Sequence, residues 1–175
     1  MLILLLAVLS LSTFEPTLRS YHDQDDLAMI SSFIARQAHR ERGEEYEDAR
    51  KVVTGDLNGD GIPETVVLYT IESQGGSNNY IQYLAVFARR SGHLVAVAHT
   101  PVGGKSRRSI ELSSVEKQRV NLQTLSYAPR DASCCPSIKG TTSYVLVGQS
   151  LREHKATQSK GRPNLTRRTQ LHGAN

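Results

Sequence analysis

The chain has 175 residues, 38% of them hydrophobic and 6% aromatic with no tryptophan, which suits one domain with extensions outside its core. The formal charge of +4 is unevenly placed: residues 149–175 hold six basic side chains (Arg152, Lys155, Lys160, Arg162, Arg167 and Arg168) against one acid, Glu153. This pattern excludes a basic nucleic-acid-binding domain and leaves a basic tail, read as a solvated, disordered extension.

In chain order, Leu2 to Leu11 is a compact apolar run, too short to span a bilayer comfortably and of the length of a signal-peptide hydrophobic region. Ser10 and Ser12 supply small residues for cleavage after Ser12, so residues 1–12 are expected to be a signal peptide, although no Lys or Arg precedes the run. Residues 13–22 read as a linker. A helix is predicted from about Asp25 to Arg40, with Asp23, Asp25 and Asp26 at its start. Leu27, Ile30, Ile34 and Ala38 recur on one face, and Gly43 is the stop.

From Lys51 the period changes to that of strands. Lys51–Thr54, Thr65–Ile71, Tyr80–Ala88 and His93–His99 are predicted strands. The last three form an antiparallel meander, because their connections are too short for crossover helices. Ser109–Val115 and Arg119–Tyr127 alternate apolar and polar residues, residues 128–140 form a long loop, and Thr142–Val147 is the last strand. The expected fold is α+β: one N-terminal amphipathic helix packed on an antiparallel sheet of six to seven strands, within a single domain at residues 23–148. The helix is expected to cover Val66, Leu68, Leu84 and Val86 or their opposite-parity neighbours, with the other face wet or covered by the 128–140 loop.

Between the first two strands lies Asp56-Leu57-Asn58-Gly59-Asp60-Gly61-Ile62-Pro63-Glu64. Side-chain oxygens at alternate positions with a glycine at the sharp turn are how a short loop wraps a hard cation. The competing reading is a hairpin loop whose acids face water. An EF-hand would need a bidentate Glu at position 12, where this chain has Val67 inside a predicted strand. The stretch instead resembles the strand–loop–strand calcium loops of integrin-type FG-GAP repeats. That resemblance implies Ca2+ held by the side chains of Asp56, Asn58, Asp60 and Glu64 and the Ile62 carbonyl, with Glu where Asp is usual at the last position.

Cys134 and Cys135 are the chain's two cysteines, and adjacent thiols do not supply the spaced, convergent ligands of a zinc site. Three readings stay open: a vicinal disulfide, two free buried thiols, or a redox sensor. Gly103-Gly104-Lys105-Ser106 lacks the upstream glycine of a phosphate loop and reads as a strand connection. The order of the Gly55–Glu64, Gly75–Phe87 and Cys134–Ser137 motifs resembles a family of small bacterial secreted or periplasmic domains with a GDLNGDG loop and a CCPS motif.

No nucleophile elbow or spaced His/Asp partnership is present. The expectation is therefore a non-catalytic periplasmic or secreted protein that binds a protein or envelope component, with no transmembrane anchor and no specific nucleic acid. The alternative is a metal-dependent hydrolase using Asp56, Asp60 and Glu64.

Overall fold

The computed structural model describes residues 17–155. The expected signal peptide lies outside these residues, as do positions 13–16 of the expected linker. One helix, α1 (Thr17–Glu41), precedes nine strands: β1 (Glu44–Glu45), β2 (Lys51–Gly55), β3 (Glu64–Glu72), β4 (Tyr80–Arg90), β5 (His93–Gly104), β6 (Arg108–Glu116), β7 (Arg119–Ser126), β8 (Ile138–Val147) and β9 (Ser150–Lys155). All pairings are antiparallel. The hydrogen-bonded order is β1-β3-β4-β5-β6-β7-β8-β9, and β2 shares the β1 edge of β3.

The architecture is α+β as expected, with two strands more than the sequence showed. Three local expectations are corrected. The helix begins at Thr17, so positions 17–22 are helical rather than linker, and Asp25 and Asp26 fall well inside it. Those early turns carry no apolar periodicity that would reveal them. Leu27 is half exposed at 50%, while Ile30, Ile34 and Ala38 are buried, so the packed stripe starts one turn later. Finally, Ser150–Lys155 lie in a strand, inside the range expected to be disordered tail. Leu151 is the segment's one apolar residue, and in a run of polar and basic neighbours it produces no strand pattern.

The sheet folds over on itself. β5 and β6 pair at a single position, Gly104 with Arg108, and there the sheet turns a corner. β6 then approaches β2, and β9 approaches β5. Two cores result, one on each face of β3 and β4. Val67, Tyr69, Ile71, Tyr83, Ala85 and Phe87 pack beneath Ile30, Ile34 and Ala38 of the helix. Val66, Leu68, Leu84 and Val86 face the opposite way, against Ile110, Val120, Leu122 and Tyr144. The opposite-parity set therefore meets the helix. The second face is covered by the folded-over strands β6–β9, not by the 128–140 loop. Each fully buried aliphatic side chain in these layers contributes roughly 1.5–3 kcal/mol. The central strand β3 is buried along almost its whole length, which is why its run from Thr65 to Ile71 reads as mainly apolar, broken only by two threonines.

Two pins set the helix on the sheet. Arg50 makes a two-pronged ion pair with Glu45, its Nε 2.7 Å from Oε1 and its Nη2 2.5 Å from Oε2. Its Nη1 donates to Ser31 Oγ of the helix at 3.0 Å. At the other end Arg89 of β4 pairs with Asp26. Among the described residues no helix is long and apolar enough to cross a membrane.

Candidate cation loop and its surroundings

β2 delivers the chain to Asp56 and β3 takes it up at Glu64, with Gly55 paired to Glu64 across the ladder. The loop is anchored inward by Leu57, which is 3% exposed and part of the core shared with Val66 and Leu68. Ile62 points outward at 56% exposure. Gly59 and Gly61 have φ of 83° and 81°, a left-handed geometry that other residues adopt only at a cost. This explains glycine at two alternate places in so short a turn.

The acids of this loop are engaged with its own amides. Asp56 Oδ1 accepts from the N–H of Gly59 at 2.6 Å and Asn58 at 3.2 Å, and its Oδ2 accepts from Gly61 N–H at 3.0 Å. The Gly59 amide first, opposed by desolvation and aided by the Gly61 and Asn58 amides, holds the Asp56 carboxyl below the usual range. Asp60 N–H donates to Asn58 Oδ1 at 2.8 Å, and Ile62 N–H to Asp60 Oδ1 at 2.7 Å. Glu64 is 2% exposed, and its Oε2 accepts from the buried Leu57 N–H at 2.8 Å.

The side chains at positions 3, 5 and 9 of the loop meet at one point. Asn58 Nδ2 donates to Asp60 Oδ2 and to Glu64 Oε1, both at 2.9 Å. The amide group of Asn58 thus lies between two carboxylates. The carboxylate of Asp56 is turned to its three amides, and Ile62 enters this network through its N–H. Among the described residues, no three His, Cys, Asp or Glu side chains are gathered closely enough to hold a metal ion as they stand.

Two polar clusters were not visible in the sequence. The first is at the sheet corner. Gln82 of β4 donates from Nε2 to the Ile110 carbonyl at 3.0 Å and accepts the Ile110 N–H on Oε1 at 2.8 Å. The side-chain amide stands in for a strand backbone and joins β4 to β6 across β5. Gly103 makes room for it, since a Cβ there would lie 2.7 Å from Gln82 Oε1 and 2.7 Å from Ile110 Cγ1. The Gly103–Gly104 pair is thus the bend of the sheet, in keeping with its reading as a strand connection. Arg108, just past the bend, donates to the Val102 carbonyl, the Tyr144 hydroxyl and Glu153.

The second cluster lies under the helix C-terminal half. Arg40 Nη1 reaches Gln37 Oε1 at 3.5 Å, which turns Gln37 Nε2 toward His99 Nε2 at 3.0 Å. His99 is an exposed residue of β5, yet its ring stands edge-on to Phe33 at 5.7 Å and stacks beside Tyr83 at 6.4 Å. Desolvation, together with the Arg40 charge, pushes its pKa below the ordinary histidine value. Burial pushes Tyr83 up to about 12, with Glu41 adding to the rise. Tyr69, stacked on Tyr83 at 5.4 Å, is raised by burial too, and its hydroxyl is enclosed with no hydrogen-bond partner.

Cys134 and Cys135 are joined as a disulfide between neighbours, with Cα atoms 3.8 Å apart. Both are exposed, which removes the reading as buried free thiols.

No protein family, no curated protein and no solved structure matches this chain.

Proposed function

We propose that this protein is a non-catalytic, exported binding module of the periplasm or the extracellular space, whose β2–β3 loop takes a calcium ion and whose partner is a protein or another envelope component. The observation that carries the cation reading is the meeting of Asn58, Asp60 and Glu64. Two carboxylate oxygens lie 2.9 Å from one nitrogen, so a donor with partial positive charge already occupies the point between them. Turning the Asn58 amide over would present Oδ1 there in place of Nδ2 and complete an oxygen-lined centre with Asp60 and Glu64; it gives up the bond that Oδ1 accepts from the Asp60 N–H, which the ion must outweigh. Asp56 and the Ile62 carbonyl are the remaining members of the proposed set. The ion would fasten two strands that both contribute to the core, a structural role without a chemical step.

Export is supported by the apolar run Leu2–Leu11, which has the length of a signal-peptide hydrophobic region. The hydrolase alternative needs a carboxylate free to present a reactive position. Glu64 is instead sealed at 2% exposure with Oε2 bonded to the Leu57 amide, which favours a strut over a reactive group.

The test is thermal melting of the full chain in calcium and in chelator, with Asp60→Asn alongside. With an affinity of the order of 10⁻⁴–10⁻³ M, calcium at tenfold over Kd is expected to stabilise by about 1.4 kcal/mol. Asp60→Asn is expected to lose that response and, keeping one oxygen where Asp60 uses two, to melt slightly below the unsubstituted chain without ion. Equal melting of the unsubstituted chain in about 10 mM calcium, tenfold over the weakest affinity expected, and in chelator would remove the cation from this reading.

A further inference from the structure

We propose that the Cys134–Cys135 pair is a surface thiol–disulfide exchange site for external dithiols, carried on a loop whose shape does not depend on the disulfide. Both cysteines are exposed in the segment that joins β7 to β8. An attacking thiolate needs access to sulfur above all, and exposed disulfides are the labile ones.

The loop closes without them. Asp131 Oδ2 accepts the N–H of Ala128 at 2.7 Å and of Ser137 at 2.9 Å, tying the two ends of the loop to one carboxylate. Ser137 Oγ donates to the same carboxylate at 2.9 Å. Tyr127 OH donates to the Ser133 carbonyl at 2.8 Å, and Cys135 N–H to the Ala132 carbonyl at 2.9 Å. None of these bonds uses sulfur. The Ala128 amide, with help from Ser137, holds the Asp131 carboxyl below its usual range, so the clasp stays ionised at neutral pH.

Stability gives the disulfide little to do. In the chain-entropy account a crosslink stabilises in proportion to the logarithm of the loop it closes, and a bond between neighbours closes the smallest loop of all. A bond that is open to solvent, unneeded for loop closure and nearly worthless as a crosslink is placed for exchange.

The step balances with one dithiol. A thiolate of the reductant attacks one exposed Sγ, the Cys134–Cys135 bond breaks, and the other sulfur leaves as a thiolate that takes up a proton. The second thiol of the reductant, as its thiolate, then attacks the reductant's own sulfur in the mixed disulfide. The second cysteine is released as a thiol and the reductant leaves as its disulfide. Two electrons and two protons pass to the protein.

The experiment treats the folded full chain, without denaturant, with dithiothreitol in one arm and a Cys-x-x-Cys oxidoreductase in the other. Thiols are then trapped with an alkylating agent and read by mass. The expected result is two alkyl groups gained together, a melting temperature within about 4 °C of the oxidised protein, and return to the disulfide on adding oxidised glutathione. Faster reduction by the oxidoreductase assigns a protein dithiol as the natural reductant, and equal rates assign a small one. The double variant Cys134→Ser, Cys135→Ser is expected to melt like the oxidised chain and to take no label. A bond that resists both reductants until the protein unfolds would overturn the proposal. So would a reduced form or a serine variant that melts far lower, or a native protein whose two thiols never join in oxidising buffer. Calcium and chelator should leave every arm unchanged, so this result stands apart from the cation test.

Discussion

Arg108 and Glu153, 45 residues apart in sequence, meet at 2.7 Å between Nη1 and Oε1. The same Glu153 oxygen accepts Thr142 Oγ1 at 2.8 Å, and the same guanidinium donates to Tyr144 OH at 3.1 Å and to the Val102 carbonyl at 2.8 Å. One contact thus gathers β5, β6, β8 and β9 where the folded sheet closes. Burial works against the Arg108 charge, but the Glu153 bond and charge outweigh it and hold its pKa above the ordinary value. The pair is about three-quarters buried, with side-chain exposures of 22% and 25%.

Removing one partner leaves the other charge half-desolvated. Glu153→Ala is therefore expected to destabilise the fold by about 1–2 kcal/mol, since solvent still reaches the pair. A chain ended at residue 149 should fail to melt cooperatively, because it loses β9 and uncovers Tyr144 and Thr142. A chain ended at Lys155 should melt like the full protein. Circular dichroism melts of the three chains decide the matter, and a well-folded chain ended at 149 would show that β9 is dispensable.

The Gln82 bridge should be costly to lose. Gln82→Leu keeps the volume but leaves both the N–H and the carbonyl of Ile110 without a partner at the corner. The expected loss is about 1–3 kcal/mol for each buried group left unpaired. Gly103→Ala should cost a comparable amount, since its Cβ would strike Gln82, Ile110 and the Arg108 carbonyl. Urea titration is the measurement: a lower midpoint with an unchanged slope is expected, and an unchanged midpoint for Gln82→Leu would show that water replaces the bridge at no cost.

His99 should make stability depend on pH. Its folded pKa lies below the unfolded value of about 6.5. The unfolded chain therefore binds the proton first as pH falls. The contribution is present in full above about pH 6.5 and is lost as pH falls through the folded value. The geometry agrees: with Gln37 Nε2 donating, His99 Nε2 must accept, and protonation would break that bond. His99→Gln is expected to flatten the melting temperature between neutral pH and the carboxylate range, while the unsubstituted chain declines there. Parallel profiles for both chains would place the dependence elsewhere.

The loop and the meander were legible because their signals are local. Alternating oxygens and glycines in Asp56–Glu64 record a turn whose hydrogen bonds run over two to seven residues, and that turn is present. The apolar run Thr65–Ile71 records burial on both faces. What covers each face was not legible, because a residue facing the helix and one facing a second sheet look alike in sequence. Gln82 reads as one polar interruption in a strand. Arg108 and Glu153 read as surface charges, the latter in a basic tail.

By itself the sequence determined the class of the protein: one amphipathic helix, β-strands in antiparallel succession, a glycine-assisted acidic loop and a neighbouring cysteine pair. Each follows from periodicity or chemistry within about a dozen residues. The tertiary structure alone decided that the sheet bends at Gly103–Gly104 and closes through Arg108 and Glu153, that β9 belongs to the domain, and that the cysteines face solvent. These depend on contacts between residues tens of positions apart, where the free energy comes from burial and charge pairing that no local pattern encodes.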